Sequence, residues 1–433
     1  MQGVTWVSPG NLIGGEPGIS AAVRRVVRER GMDALAAGTA LCAAPLSIAV
    51  SESFLALALM ARIAGIARHR AALHLPGVFW FWFGWAWLET LSWLHAQRTG
   101  GGASEIRHLL LLGALFLILP VLNRPEDMLT IWRGIFLTSS AGCAVVVLGF
   151  FSHLLRYRHE LSIGGDPAFY LRDGGLLHHW MIYATVEVLV FGALLEFRAS
   201  YPEERRWASP ALGVHCLAIV LSLTRMLWLA RLLLLGLHLV WRRSKQIWVL
   251  PAIPALIFLL APGPLRHRVA QSFQPDYYSN AERVQMWHVG WKMIREQPVF
   301  GVGPGRIDQL YPRYLAQGEP VPAYHGHLHN NALQLAAQFG IPILIAAMLC
   351  LAVLLRDVLR ACRRAYDREC LFLCRSSLLG IFGFLTVGMT DYTYGHSLGL
   401  ILLSFAALSP LLVQDASRPA FRGSARFSNG PAT

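Results

Sequence analysis

The chain has 433 residues, is 55% hydrophobic and only 15% charged, and carries a formal charge of +13. That balance excludes an ordinary soluble domain and fits a polytopic helical membrane protein. Nucleic acid is not the implied partner, because the basic residues sit mostly in short segments between apolar runs, where they act as topology signals.

In chain order, Arg24, Arg25, Arg28 and Arg30 precede the first apolar run. No small-residue cleavage site follows, so that run is expected to stay as a span rather than be removed as a signal peptide. Apolar runs of spanning character recur at 34–50, 53–67, 78–95, 109–122, 129–155, 176–197, 208–223, 226–241, 247–261, 332–355, 371–388 and 397–414. The expectation is therefore an all-α integral membrane protein with about 12 transmembrane helices. Counted from an inside N-terminus, the inside segments hold more than half of the 38 Lys and Arg, which places both termini in the cytoplasm. The expected organisation is nine spans in 1–262, one large outer loop with helices in 263–330, three spans in 331–414, and a Ser-, Arg-, Pro- and Gly-rich tail in 415–433.

Several charges fall inside these runs. Arg62, Glu89, Arg133, Glu187, Arg231 and Arg375 are costly in hydrocarbon unless paired or wet, and structural ion pairs within the bundle are expected for most of them. The seven cysteines lie in apolar runs or inside loops, so no structural disulfide is expected. Only two outer segments have length, 156–175 and the much larger 263–330. His178 and His179 open the sixth run at the outer face, close enough to line a site there.

The long segment contains its own signals. Ser279 or Asn280 is a suitable cap for a helix to about Gln297, stopped by Pro298. Val284, Trp287, Trp291 and Ile294 recur on it at helical spacing as an apolar stripe that can lie on the membrane or the bundle, with Arg283 one turn before Trp287. The Gly301-Val302-Gly303-Pro304-Gly305 turn is a structural corner or a phosphate cradle. Arg225 lies at the outer junction of two closely spaced runs, where its planar fork suits bidentate phosphate capture or simple snorkelling to a headgroup.

The chain is organised around Tyr324-His-Gly-His-Leu-His-Asn-Asn331, which leads into the run 332–355. Asn330 or Asn331 is a natural N-cap, and a helix starting there aims unsatisfied N–H groups and a positive dipole end outward, ready for an anion. His329 either caps the helix or serves as a base at that surface. His325, His327 and His329 alternate, and on an extended segment they would share one face, as metal ligands can.

Thr224-Arg225, Arg283-x-x-x-Trp287 leading to Pro298-Val299-Phe300-Gly301-Val302-Gly303-Pro304-Gly305, and His327-x-His329-Asn330-x-x-Leu333 leading to Gly340 together resemble the O-antigen ligase and polymerase superfamily. The resemblance covers roughly the second half of the chain and is nearest to the lipopolysaccharide O-antigen ligases. It implies an inner-membrane glycosyltransferase that moves polysaccharide from undecaprenyl diphosphate to a sugar hydroxyl of lipid A–core on the periplasmic face, with no metal or other cofactor. It assigns Arg225 and Arg283 to the diphosphate and His329 to the acceptor proton, since an imidazole near its ordinary pKa of about 6.5 suits a general base. Asn330, His327, Trp287, Gly303, His178 and His179 are the expected substrate-binding residues. Within the superfamily, the rivals are an O-antigen polymerase, which tends towards two substantial outer loops, and a protein O-oligosaccharyltransferase, which tends to carry more chain beyond its last span. A transporter of the same lipid-linked glycan is the alternative from another class. Such proteins favour repeats and midplane sites, whereas here the candidate residues sit at the rim.

Overall fold

The computed structural model describes residues 30–68, 73–96, 106–162, 171–172, 174–260, 263–322 and 324–417. Arg24, Arg25 and Arg28, the middle of the 156–175 segment and the tail beyond Ser417 lie outside these residues. Every regular element among the described residues is helical. The first half holds α1 (Met32–Ala43), α2 (Ile48–Ala67), α3 (Val78–Ala96), α4 (Arg107–Ile118), α5 (Pro125–Ser162), α6 (Trp180–Ser200), α7 (Arg205–Leu221) and α8 (Arg225–Trp241). The second holds α9 (Ala252–Leu260), α10 (Gly263–Ala270), α11 (Tyr278–Glu296), α12 (Ile307–Tyr314), α13 (Asn331–Phe339), α14 (Ile341–Arg364), α15 (Arg368–Gly388) and α16 (Ser397–Ser417).

Among the described residues, six helices are long and apolar enough to cross a membrane: α2, α5, α6, α14, α15 and α16. The chain is a multi-pass membrane protein in that sense. α3, with 19 residues, and α7 and α8, with 17 each, reach the lower edge of spanning length. Two expected spans take a different form. The run 247–261 yields only the nine-residue α9, about 13 Å long and short of a bilayer core. The run 332–355 is broken at Gly340 into α13 and α14. α5 continues to Ser162, so the 156–175 segment begins as helix and not as loop.

α6, α15 and α16 form the interior, buried along most of their length, while α2 and α14 are largely exposed and lie on the outside of the bundle. Small residues set the close approach of the inner helices, as packing without a hydrophobic driving force requires. A Cβ on Gly383 would come within 2.8 Å of Val188 Cγ2, and one on Gly399 within 2.4 Å of Thr185 Cγ2. The intramembrane charges are paired as the sequence implies. Glu89 meets His108 at 2.7 Å, Arg62 meets Asp33 at 3.9 Å, Arg133 meets Glu204, and Arg375 meets Glu196 at 3.1 Å. Glu187 contacts His215 and receives hydrogen bonds from Arg231 at 2.9 Å and Ser139 at 3.1 Å.

A small second core caps one end of the bundle. Met286, Val289 and Met293 of α11 pack with Val302, Ile307, Tyr311, Leu328 and Ala336. The buried face of α11 is thus offset from the expected Val284–Trp287–Trp291–Ile294 stripe. Ile294 is buried, but Val284 and Trp291 are about half exposed and free to meet lipid. The cap is tied to α3 by a hydrogen bond from Ser92 Oγ to the Phe300 carbonyl (2.9 Å) and by stacking of His95 on Phe300.

Candidate active site

The break at Gly340 positions the site. Gly340 has φ 103°, and a Cβ there would lie 2.0 Å from the Val299 carbonyl oxygen, so only glycine fits. The 298–303 segment holds the C-terminal end of α13. Val302 and Gly303 donate to the carbonyls of Ala337 (2.8 Å) and Gln338 (3.0 Å), and Ile341 donates to Pro298 (2.8 Å). Gly303 therefore sits at the opposite end of α13 from the histidines, serving as a corner with φ 98°.

At the N-terminal end of α13, Asn330 is the N-cap, its Oδ1 accepting from Leu333 N–H at 3.0 Å. Before it, Leu328 is fully buried against Gly290 of α11 and donates its N–H to Gln334 Oε1 at 2.8 Å. His329 follows in the left-handed region, φ 47°, a conformation histidine tolerates better than most residues. That turn directs its ring onto Asp391, with Nδ1 3.4 Å from Oδ1, and leaves the residue 8% exposed. The His329 N–H points to His327 Nδ1 (3.4 Å), and the two rings meet edge to face at 4.1 Å.

Asp391 was not singled out by its sequence, and it is the residue around which the others gather. It lies in the 389–396 connection between α15 and α16. Asn330 Nδ2 donates to the Met389 carbonyl, and Asn331 Nδ2 to Thr393 Oγ1, both at 2.8 Å. Its visible signal is a lone acid in Met-Thr-Asp-Tyr-Thr-Tyr-Gly-His between two apolar runs, on the same side as His329. Burial alone would raise the Asp391 carboxyl, but the contact with His329 and the imidazoles of His396 and His327 hold it below its usual range. Burial and the neighbouring His329 push the His327 imidazole down to about 3. Burial likewise lowers His179 and His396, with Asp391 pulling the other way for both. His179 thus joins the site's field as the N-cap of α6, accepting from Met181 N–H at 3.3 Å. His178 beside it is exposed, with φ 60°.

The arginines complete the cluster. Arg283 donates from Nη1 to Ser279 Oγ (2.7 Å) and to the Ser279 carbonyl (2.8 Å), and from Nε to the Thr390 carbonyl at 3.4 Å. Arg225, the first residue of α8, donates to Asn280 Oδ1 (2.8 Å), the Gln271 carbonyl (3.0 Å) and Ser279 Oγ (3.5 Å). Both forks therefore converge on Ser279, while Arg283 and His329 converge on Thr390–Asp391. Burial and then the neighbouring Arg283 lower the Arg225 guanidinium, and burial also lowers that of Arg283. Both remain cationic. Trp287, half-buried one turn along α11, has its indole N–H enclosed and without a hydrogen-bond partner among the described residues.

The three alternating histidines do not share a face. His325 turns away to Asp308 (3.2 Å) and the ring of Tyr311. At this junction the group able to hold a metal ion is instead His327, His329 and Asp391, whose ligand atoms lie within 4.8 Å of one another; Cys143, Glu187 and His215 form a second such group inside the bundle. The arrangement offers an oriented imidazole, a concentration of positive charge for an anion, and the N-terminus of α13 between them.

Residues 210–348 match a family model described as O-antigen ligase, which supports the O-antigen ligase/polymerase superfamily. The matched stretch runs from α7 into α14 and includes Arg225, Arg283, His327, His329 and Asn330, but neither His179 nor Asp391. No curated protein matches the chain.

Proposed function

We propose that this chain of the O-antigen ligase/polymerase superfamily is an O-antigen ligase, a glycosyltransferase of the bacterial inner membrane with its site on the periplasmic face. The donor is polysaccharide on undecaprenyl diphosphate, and the acceptor is a sugar hydroxyl of lipid A–core. The observation that carries this is the meeting of Arg225 and Arg283 at Ser279, with Arg283 also reaching the connection that holds Asp391 against His329.

The chemistry follows from those positions. Asp391 faces His329 Nδ1, orients the ring and leaves Nε2 to accept the acceptor hydroxyl proton. The oxygen attacks the anomeric carbon as the bond from that carbon to the phosphate oxygen breaks. The electron pair leaves on undecaprenyl diphosphate, whose growing charge the two guanidiniums stabilise, an effect of about 2.7–4 kcal/mol per well-placed donor. Arg283 Nη2 has no protein partner among the described residues and is free for a phosphate oxygen. Metal-independence is part of the proposal. Arg283 lies within the field of Asp391 and would repel a cation bound there.

Deletion of the gene tests the assignment. A ligase leaves full-length polysaccharide on undecaprenyl diphosphate beside uncapped lipid A–core. Single repeat units on the carrier would make the protein a polymerase, and glycan retained on the cytoplasmic side would make it a flippase.

A further inference from the structure

Arg268 on α10 is 3% exposed, and among the described residues no carboxylate pairs with it. A buried guanidinium without an acid is costly unless its donors are satisfied or an anion arrives. Its donors go to neutral acceptors: Nε to the Leu223 carbonyl (3.2 Å), and Nη1 to Gln271 Oε1 (2.9 Å) and the Tyr277 hydroxyl (3.1 Å).

Each of these acceptors leads to Arg225. Leu223 has φ 54°, unfavourable for a leucine, and it sets the turn through the N-cap Thr224 into Arg225. The Gln271 carbonyl accepts from Arg225 Nη1 and from Asn280 Nδ2, both at 3.0 Å, while Asn280 Oδ1 accepts from Arg225 Nη2 at 2.8 Å. The Tyr277 ring lies 5.4 Å from the Arg225 guanidinium and 5.8 Å from that of Arg268. One arginine therefore holds the turn before Arg225, the residue whose carbonyl anchors its fork, and the ring beneath it.

We propose that Arg268 is a positioning residue that fixes the direction of the Arg225 fork behind the diphosphate seat. With Arg225 taken as the diphosphate ligand proposed above, loss of Arg268 weakens donor use without touching the donor.

Donor-saturation kinetics on the purified full chain test this, using an undecaprenyl-diphosphate-linked glycan and lipid A–core. Arg268→Ala raises donor KM roughly tenfold or more. Arg268→Lys restores part of the loss, since an ammonium reaches the Leu223 carbonyl or Gln271 Oε1 but does not bridge them. Gln271→Met, which keeps the main-chain carbonyl that Arg225 uses, gives a smaller rise and serves if Arg268→Ala does not fold. The double variant Arg225→Ala/Arg268→Ala has a kcat/KM for donor no lower than Arg225→Ala alone. Additive losses, or unchanged donor KM in the Arg268 and Gln271 variants while Arg225→Ala loses donor, would overturn the positioning role and leave the diphosphate seat standing. Wild-type kinetics in Arg225→Ala would overturn the seat, and the role of Arg268 with it.

Discussion

Two polar clusters in this molecule obey opposite rules. In the middle of the bundle, Glu187 is enclosed by His215, Arg231 and Ser139, and the charges cancel inside the protein. At the capped end, Arg225, Arg268 and Arg283 crowd together with Glu282 and Asp391 as the nearby carboxylates, and Asp391 already faces His329. The first cluster is closed and holds helices in register. The second has positive charge left over, which the proposed diphosphate donor would complete.

The largest contrast comes from mutating each. Arg225→Ala or Arg283→Ala lowers transfer by roughly 10²–10³-fold or more, with the unfolding midpoint in detergent little changed. Lys at either position recovers only part, because it lacks the fork. Glu187→Ala instead strands Arg231 and costs about 3–5 kcal/mol of stability. If the arginine variants unfolded and the Glu187 variant did not, the two clusters would have exchanged roles.

A somewhat smaller effect separates the histidines. His329→Ala lowers transfer by roughly 10²–10⁴-fold with donor binding largely kept, and Asp391→Asn lowers it less, by the loss of orientation alone. His325→Ala is much milder, since that ring is engaged with Asp308 and Tyr311. Equal losses in His325, His327 and His329 variants would contradict this order.

Much of this was legible beforehand. The cap at Asn330 and the paired intramembrane charges follow from local chemistry, since capping residues and costly charges announce their needs. The helix carrying Arg283 and Trp287 follows from its spacing and from Pro298, although it starts at Tyr278 without a side-chain cap and not at Ser279 or Asn280. The break in the run 332–355 was hidden by hydropathy, because a broken helix is as apolar as a whole one. Its signal was Gly340-Ile341-Pro342, a glycine after one helix and a proline in the first turn of the next. Asp391 and Arg268 were missed for another reason. His329 lies about 60 residues from Asp391, and the Leu223 carbonyl that ties Arg268 to the Arg225 turn lies about 45 residues from Arg268; no spacing rule reports such contacts.

The acid response sharpens the comparison with the smallest effect. His327 is held at about 3 by burial and then His329, against an ordinary value near 6.5. Between these values the unfolded chain binds a proton that the folded junction refuses, so stability falls as pH drops from about 6.5 towards 3. Asp391, held low, adds in the same direction further down. Its contribution is present above about 3.9 and is lost as pH falls through its folded value. His327→Gln removes the upper part of this loss, so its thermal midpoint declines less than wild type between about pH 7 and pH 4. Parallel declines would show that His327 is not buried neutral.

The most direct measurement is transfer by the purified full-length protein in excess chelator, with polysaccharide on undecaprenyl diphosphate as donor and lipid A–core as acceptor. Arginines and an Asp-oriented histidine in place of a metal predict undiminished capping of lipid A–core, and capping lowered by roughly 10²-fold or more with Arg283→Ala. Activity lost in chelator and restored by one divalent ion would contradict the account and make His327, His329 and Asp391 a ligand set.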